Sequence, residues 1–236
     1  MEFGKVPAVI ARDLEFEPGN ENCYDYFMRN TEQHGDYTCF SHYGRTHLKS
    51  EFVADVMAVS AFYKNELGFK QGDVYTIFSP TNVESMILFM ALNRLGVIVH
   101  FVHPLLPPDN LKEILDFTKS KGIMVLDMFV AKYAETIGNQ NIPCTIVVPS
   151  CYALPDKYSA KANEEAMAVV AAKIKNCITY PEILKKYADQ SVEGVTNNKD
   201  AIAIYANGGG TTGKSKTIKL SNGSINELIY MLGAQN

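Results

Sequence analysis

At 236 residues, with 47% hydrophobic and 20% charged side chains, the chain has the make-up of an ordinary globular protein, either one large domain or two small ones. A formal net charge of −4 and a pI near 5.8 give no electrostatic reason to expect nucleic acid as a partner. The five cysteines (Cys23, Cys39, Cys144, Cys151 and Cys177) form no C-x-x-C pair, which points to reduced thiols in the cytosol and away from a structural metal site.

The opening stretch, MEFGKVPAVIARDLEFEPGN, has an apolar segment too short for the core of a secretory signal. Its Asp13, Glu15 and Glu17 alternate as on a solvated strand or loop. From residue 50 onward, strand and helix patterns take turns. Residues 50–68 place Phe52, Val53, Val56, Ser60, Tyr63 and Leu67 at helical spacing, with Gly68 as the C-terminal stop. VYTIF (74–78) reads as a buried strand, residues 83–95 as a helix ending at Gly96, and VIVHFV (97–102) as the next strand. The most lipid-like segment, residues 86–103, is broken by Asn93, Arg94, Gly96 and His100. A membrane span needs roughly 20 apolar residues, so a soluble, cytoplasmic protein is expected. His100 and His103 form H-x-x-H, but residues three apart on a strand face opposite sides, so packing and turn roles are expected in place of a metal.

HPLLPPDNLKEILDFTKSKG supplies a proline-stiffened loop and a helix with Asp109 as N-cap. IMVLD (123–127) and CTIVV (144–148) are further strands around a helix at 129–137. This alternation predicts an α/β fold with a largely parallel sheet covered by helices. Residues 150–199 are less regular: ANEEAMAVVAAKIKNC and YPEILKKYADQ are helical in pattern, Pro181 falling in a first turn, and residues 190–199 read as a polar internal linker. AIAIYA (201–206) is a strand that feeds the run NGGGTTGKSK (207–216).

That run fits two phosphate-binding patterns. From Gly208 it matches G-x-x-x-x-G-K-[ST] through Gly213, Lys214 and Ser215, the Walker loop of P-loop NTPases. It also matches G-[ST]-T-G-x-P-K, with Lys216 as the important lysine. Both use glycine to let successive backbone N–H groups converge on phosphate oxygens, and both add a lysine and hydroxyls. A Walker lysine opens a helix. Here TIKL alternates like a strand, SNG reads as a turn, and Ser224 with Glu227 forms a capping box for a helix starting near 224. Strand, loop, strand, turn, helix disfavours the Walker reading, which is kept as the lesser alternative.

DAIAIYANGGGTTGKSKTIKLSN resembles the signature of the AMP-forming acyl-CoA synthetase superfamily, which includes luciferases and peptide-synthetase adenylation domains. Upstream, HYGRTHLKSEF resembles that family's G-R-T-x-T-Y-x-E-L segment. The segment from LGFKQGD to LKEIL follows its G-x-x-x-G-D turn, strand, x-P-N turn, apolar helix and G-x-V-x-x-x-x-x-P pattern. The resemblance runs from about residue 24 to the end.

It implies an acyl-activating ligase: a carboxylate attacks ATP, pyrophosphate leaves, and the acyl-adenylate passes its acyl group to a thiol, usually coenzyme A. It implies that Gly208, Gly209, Gly210, Thr211, Thr212, Gly213 and Lys216 wrap the β- and γ-phosphates, with Mg2+ held alongside the triphosphate. Four positions depart from the family pattern: Asn207 stands for an aromatic, Ser215 for proline, Thr217 for glycine and Asn222 for histidine. Loss of the proline is expected to loosen the loop's exit, and Thr217 to stiffen a place that tolerates unusual dihedrals.

Family members are about twice this length, and their acyl pocket, magnesium-associated glutamate, ribose-binding aspartate and catalytic lysine follow the loop. Residues 1–236 are therefore expected to be the N-terminal part of such a domain, cut after the phosphate loop, with catalytic residues beyond 236 and the remainder of the enzyme's own chain as partner. The substrate class is a small-molecule carboxylate, and the GGTTG form of the loop hints at fatty acids. The alternative is a catalytically silent interaction module.

Overall fold

The computed structural model describes residues 19–42, 44–150, 173–174, 176–196 and 198–233. A helix α1 (Cys23–Thr31) is followed by a two-stranded antiparallel ribbon, β1 (Thr38–His42) and β2 (Arg45–Leu48), and then by α2 (Lys49–Ala61). The alternating unit is β3 (Val74–Phe78), α3 (Val83–Arg94), β4 (Ile98–Val102), α4 (Pro108–Thr118), β5 (Gly122–Leu126), α5 (Asp127–Gly138) and β6 (Cys144–Val148). After it come β7 (Cys177–Thr179), α6 (Tyr180–Tyr187), β8 (Ile202–Gly208), β9 (Lys216–Ser221) and α7 (Asn222–Gly233).

Seven strands make one sheet in the order β7-β6-β5-β3-β4-β8-β9. Every pairing is parallel except the last, β8 with β9. The expected largely parallel α/β architecture is the one found. Strand alternation splits the core by face. Tyr75, Ile77, Val99, Met124 and Ile146 point to one side, where α1, α2, α3 and α6 cover them. Phe78, Val102, Ile123, Val125 and Val147 point to the other, under α4 and α5. Connections running in opposite directions from β3 put helices on opposite faces, as right-handed crossovers require. Both faces buried is why these strands read as near-continuous apolar runs.

Three local expectations are corrected. The helix over 50–68 is regular only to Ala61; Phe62–Glu66 form a π turn, which buries Phe62 and Tyr63 together. Gly68 does take a left-handed φ of 62° at the stop. Asp109 is inside the first turn of α4, not its cap, because Pro108 takes the first helical position, where its missing N–H costs nothing. The helix expected from 224 starts at Asn222, with no turn before it, and Ser221 Oγ accepts from the Ser224 N–H. ANEEAMAVVAAKIKNC and the Asp13–Glu17 alternation lie largely or wholly outside the described residues. Residues 190–196 carry no helix or strand, and Val195 N donates to Arg94 O at 3.0 Å.

β9 is one of the sheet's two outer strands among the described residues, and beside it the last helix leaves Leu228, Ile229, Met231 and Leu232 exposed, together with Ile218 on β9 itself. No helix among the described residues is long and apolar enough to cross a membrane.

Asp55, on α2, is a carboxylate whose burial bears on stability. Burial pushes it up to about 6, against a Tyr180 hydroxyl that donates to it at 3.4 Å. In the unfolded chain an aspartate titrates near ~4. Between those values the folded chain binds the extra proton, so the group's contribution is most favourable below the window and is lost as pH rises through about 6. Asp55→Asn is expected to raise the thermal midpoint at pH 8 by roughly 2–6 °C and to leave it unchanged at pH 4. Melting curves at the two pH values check this.

Candidate functional site

β8 and β9 form an antiparallel hairpin whose mouth lies at the carboxyl ends of the parallel strands, where open α/β sheets bind ligands. At that mouth Asn207 pairs with Thr217, and Gly208 with Lys216. The two predicted site residues that fall within the described structure thus face each other across the hairpin. Gly209, Gly210, Thr211, Thr212 and Gly213 lie outside the described residues, as do Lys214 and Ser215.

The residues after Ser215 form a strand, so the helix that a Walker lysine would open is not there. Lys216 is exposed, and no acidic side chain pairs with it among the described residues. Its charge is available to an anion. Among the same residues no group of three or more His, Cys, Asp or Glu side chains could hold a metal ion.

Gly208 is instructive because the fold does not need a glycine there. Its φ is not in the left-handed region, and an added Cβ would meet Ile218 Cδ1 at 3.4 Å and Lys216 O at 3.6 Å, ordinary contacts. Gly208→Ala is expected to leave the melting temperature within about 1 °C while weakening Mg-ATP several-fold, read by calorimetric titration beside a thermal melt.

Two of the family departures find structural partners. Thr217 lies in regular strand pairing and has no left-handed φ, so a β-branched residue fits where unusual dihedrals were expected. Asn222 is fully buried at the start of α7. Its Oδ1 accepts from Asn93 Nδ2 at 2.8 Å and from the Cys23 thiol at 3.4 Å, and its Nδ2 donates to Asn198 O at 3.2 Å. Asn93 Oδ1 in turn accepts from the Tyr24 N–H at 3.1 Å. This network ties α1, α3 and α7 together beneath the hairpin.

A contact that the sequence did not disclose joins β4 to the hairpin mouth. His100 is fully buried, and its Nε2 donates to Asn207 Oδ1 at 3.1 Å. The ring stands edge-on to Tyr205, its register partner on β8, with centroids 6.1 Å apart. Burial holds the imidazole below its ordinary value, with the Asn207 bond opposing, so it is neutral at neutral pH. A histidine inside the apolar run VIVHFV is the one sequence signal that could have pointed to it. His103, by contrast, is exposed just past the strand. The cysteines are poor nucleophiles: burial pushes Cys23 and Cys144 up to about 12 and Cys177 to about 11. Cys151 lies outside the described residues.

A family model described as "AMP-binding enzyme" matches residues 27–235. Against the long-chain-fatty-acid–CoA ligase of Haemophilus influenzae the chain is 24% identical over 215 residues, covering 87% of this chain and 37% of that protein. Against the acetyl-coenzyme A synthetase of Helicobacter pylori it is 22% identical over 223 residues, covering 91% and 31%. Among solved structures, the anthranilate CoA ligase AuaEII in complex with anthranoyl-AMP superposes with a TM-score of 0.68 at 18% identity, over 87% of this chain and 36% of that one. At that identity the likeness is one of fold. The chain spans about a third of the length of these relatives.

Proposed function

This chain belongs to the AMP-binding enzyme family, and from that premise we propose that it supplies the phosphate-holding part of an AMP-forming acid–thiol ligase. The reading is carried by the hairpin, which sets Gly208 opposite Lys216, a lysine with no acidic partner among the described residues, at the carboxyl edge of the sheet. In the proposed reaction a carboxylate oxygen attacks the α-phosphorus of ATP, pyrophosphate departs, and the acyl-adenylate is cleaved by the thiol of coenzyme A, releasing AMP.

The chain's own residues act on the leaving group. Backbone N–H groups over Gly208–Gly213 cradle the β- and γ-phosphates, and the Lys216 ammonium neutralises charge that builds on pyrophosphate as the bond breaks. Magnesium, when bound with the triphosphate, shares that neutralisation. Charge-assisted bonds of this kind are worth roughly 1.5–3 kcal/mol each. The position of Lys216 on a strand, not a flexible arm, fixes where the backbone starts and so limits the entropy lost on binding.

The acyl partner is a small-molecule carboxylate. A fatty acid is the first candidate, because the GGTTG loop resembles fatty acyl-CoA synthetases and one relative is a long-chain-fatty-acid–CoA ligase. Carboxylate-dependent exchange of labelled pyrophosphate into ATP is the test. Exchange with a fatty acid in a panel of carboxylates is expected of a protein that carries these residues together with the rest of the family domain. Mg-ATP binding without exchange for any carboxylate would favour the silent module.

A further inference from the structure

His100 occupies a site where an apolar residue would be cheaper. It is fully buried, its Nδ1 has no hydrogen-bond partner among the described residues, and its neighbours on β4 are Val99 and Phe101. Leaving a buried polar atom in that state is destabilising. Among the described residues the imidazole has one polar contact, Nε2 to Asn207 Oδ1 at 3.1 Å. An amide oxygen can only accept, so the ring must carry its proton on Nε2 and leave Nδ1 bare. Asn207 is the residue immediately before Gly208, and it is itself paired with Thr217 on the returning strand. One hydrogen bond therefore links the interior of the sheet to the last residue before the loop.

We propose that His100 is a positioning residue for the phosphate loop: by holding the Asn207 carboxamide it fixes where Gly208 begins, and it commits the amide oxygen so that Asn207 Nδ2 remains a donor for an oxyanion at the hairpin mouth. The inference rests on the phosphate-binding reading of residues 208–216. Both members of the pair are unusual in the same way. Asn207 stands where the family pattern has an aromatic, and His100 interrupts an apolar strand. Each gives the other its reason: an aromatic at 207 would leave the imidazole without any partner.

The test uses this chain with Mg-ATP as the probe, comparing His100→Val, His100→Gln and Asn207→Ala by calorimetric titration and thermal melting. Val removes the bond and keeps strand preference, while Gln restores an Nε2–H donor. His100→Val and Asn207→Ala are expected to raise the Kd roughly five- to tenfold, with His100→Gln within about threefold of the parent. A long-range proton–nitrogen spectrum is expected to show the neutral Nε2–H tautomer. A purely structural role would lower the melting temperature of the variants and leave the Kd unchanged, which overturns the proposal, as does the Nδ1–H tautomer. Should His100→Val not fold, Asn207→Ala decides, since Asn207 is only half-buried, one residue from the end of β8. If the parent chain fails to bind Mg-ATP, the phosphate-loop reading falls and this proposal with it; if the parent binds and the variants bind equally, only the positioning role falls.

Discussion

Lys216→Ala is expected to weaken Mg-ATP binding roughly 10- to 100-fold, while Lys214→Ala changes it less than about threefold. The asymmetry follows from the hairpin. Lys216 is the first residue of β9 and the register partner of Gly208, so its backbone is fixed at the point where the glycine run leaves β8. Its ammonium is exposed and meets no carboxylate among the described residues, so no internal ion pair competes for it. A charge-assisted contact to phosphate is worth roughly 1.5–3 kcal/mol, which sets the size of the loss. Titration calorimetry on the two variants, at one salt concentration, measures it. A larger loss for Lys214→Ala would restore the Walker reading and displace the adenylation chemistry.

Asn222→Ala should destabilise the fold by about 2–4 kcal/mol, an effect on folding that leaves the hairpin's chemistry untouched in any molecule that remains folded. The side chain has no exposed surface and makes three contacts, with Asn93, Cys23 and the Asn198 carbonyl. Truncation leaves the buried Asn93 Nδ2 without its acceptor, while the Asn198 carbonyl keeps only the Ala201 N–H at 3.2 Å. The Asn93 amide then carries a desolvation penalty with nothing to offset it. Asn93→Ala cuts the same line one step earlier and also frees the Tyr24 N–H. Because the two asparagines share a bond, the double variant should be less unstable than the sum of the singles by roughly 1–2 kcal/mol, and denaturant melts on the four proteins give that coupling directly. Strict additivity would mean that α1, α3 and α7 are held by packing alone.

The same asparagine shows where reading the sequence stops. VYTIF and CTIVV were legible to the residue, because β-branched runs between turn signals have few other uses. The start of α7 was not. Ser224 and Glu227 have the letters of a capping box, but burial of Asn222 draws the helix back two residues and gives the cap to Ser221. A local pattern lost to a contact with Asn93, 129 positions away. The π turn at Phe62–Glu66 is a similar case, since apolar spacing cannot tell a regular last turn from a widened one. At the site, the strand that returns after the glycine run could be read from the alternation in TIKL. The bond from His100 to Asn207 could not, because its ends are 107 residues apart and meet only when β4 and β8 pair.

The outer position of β9 has a practical side. A strand at the rim of a sheet offers its backbone to any other extended chain, and this one stands next to a helix whose Leu228, Ile229, Met231 and Leu232 face outward. Only two lysines, Lys216 and Lys219, put charge on that strand. They act as gatekeepers against stacking of one molecule on the next. Lys216 would then have two unrelated occupations, holding an anion and keeping the protein dispersed. Light scattering on Lys216→Ala, taken beside its binding curve, tells a missing contact from missing monomer.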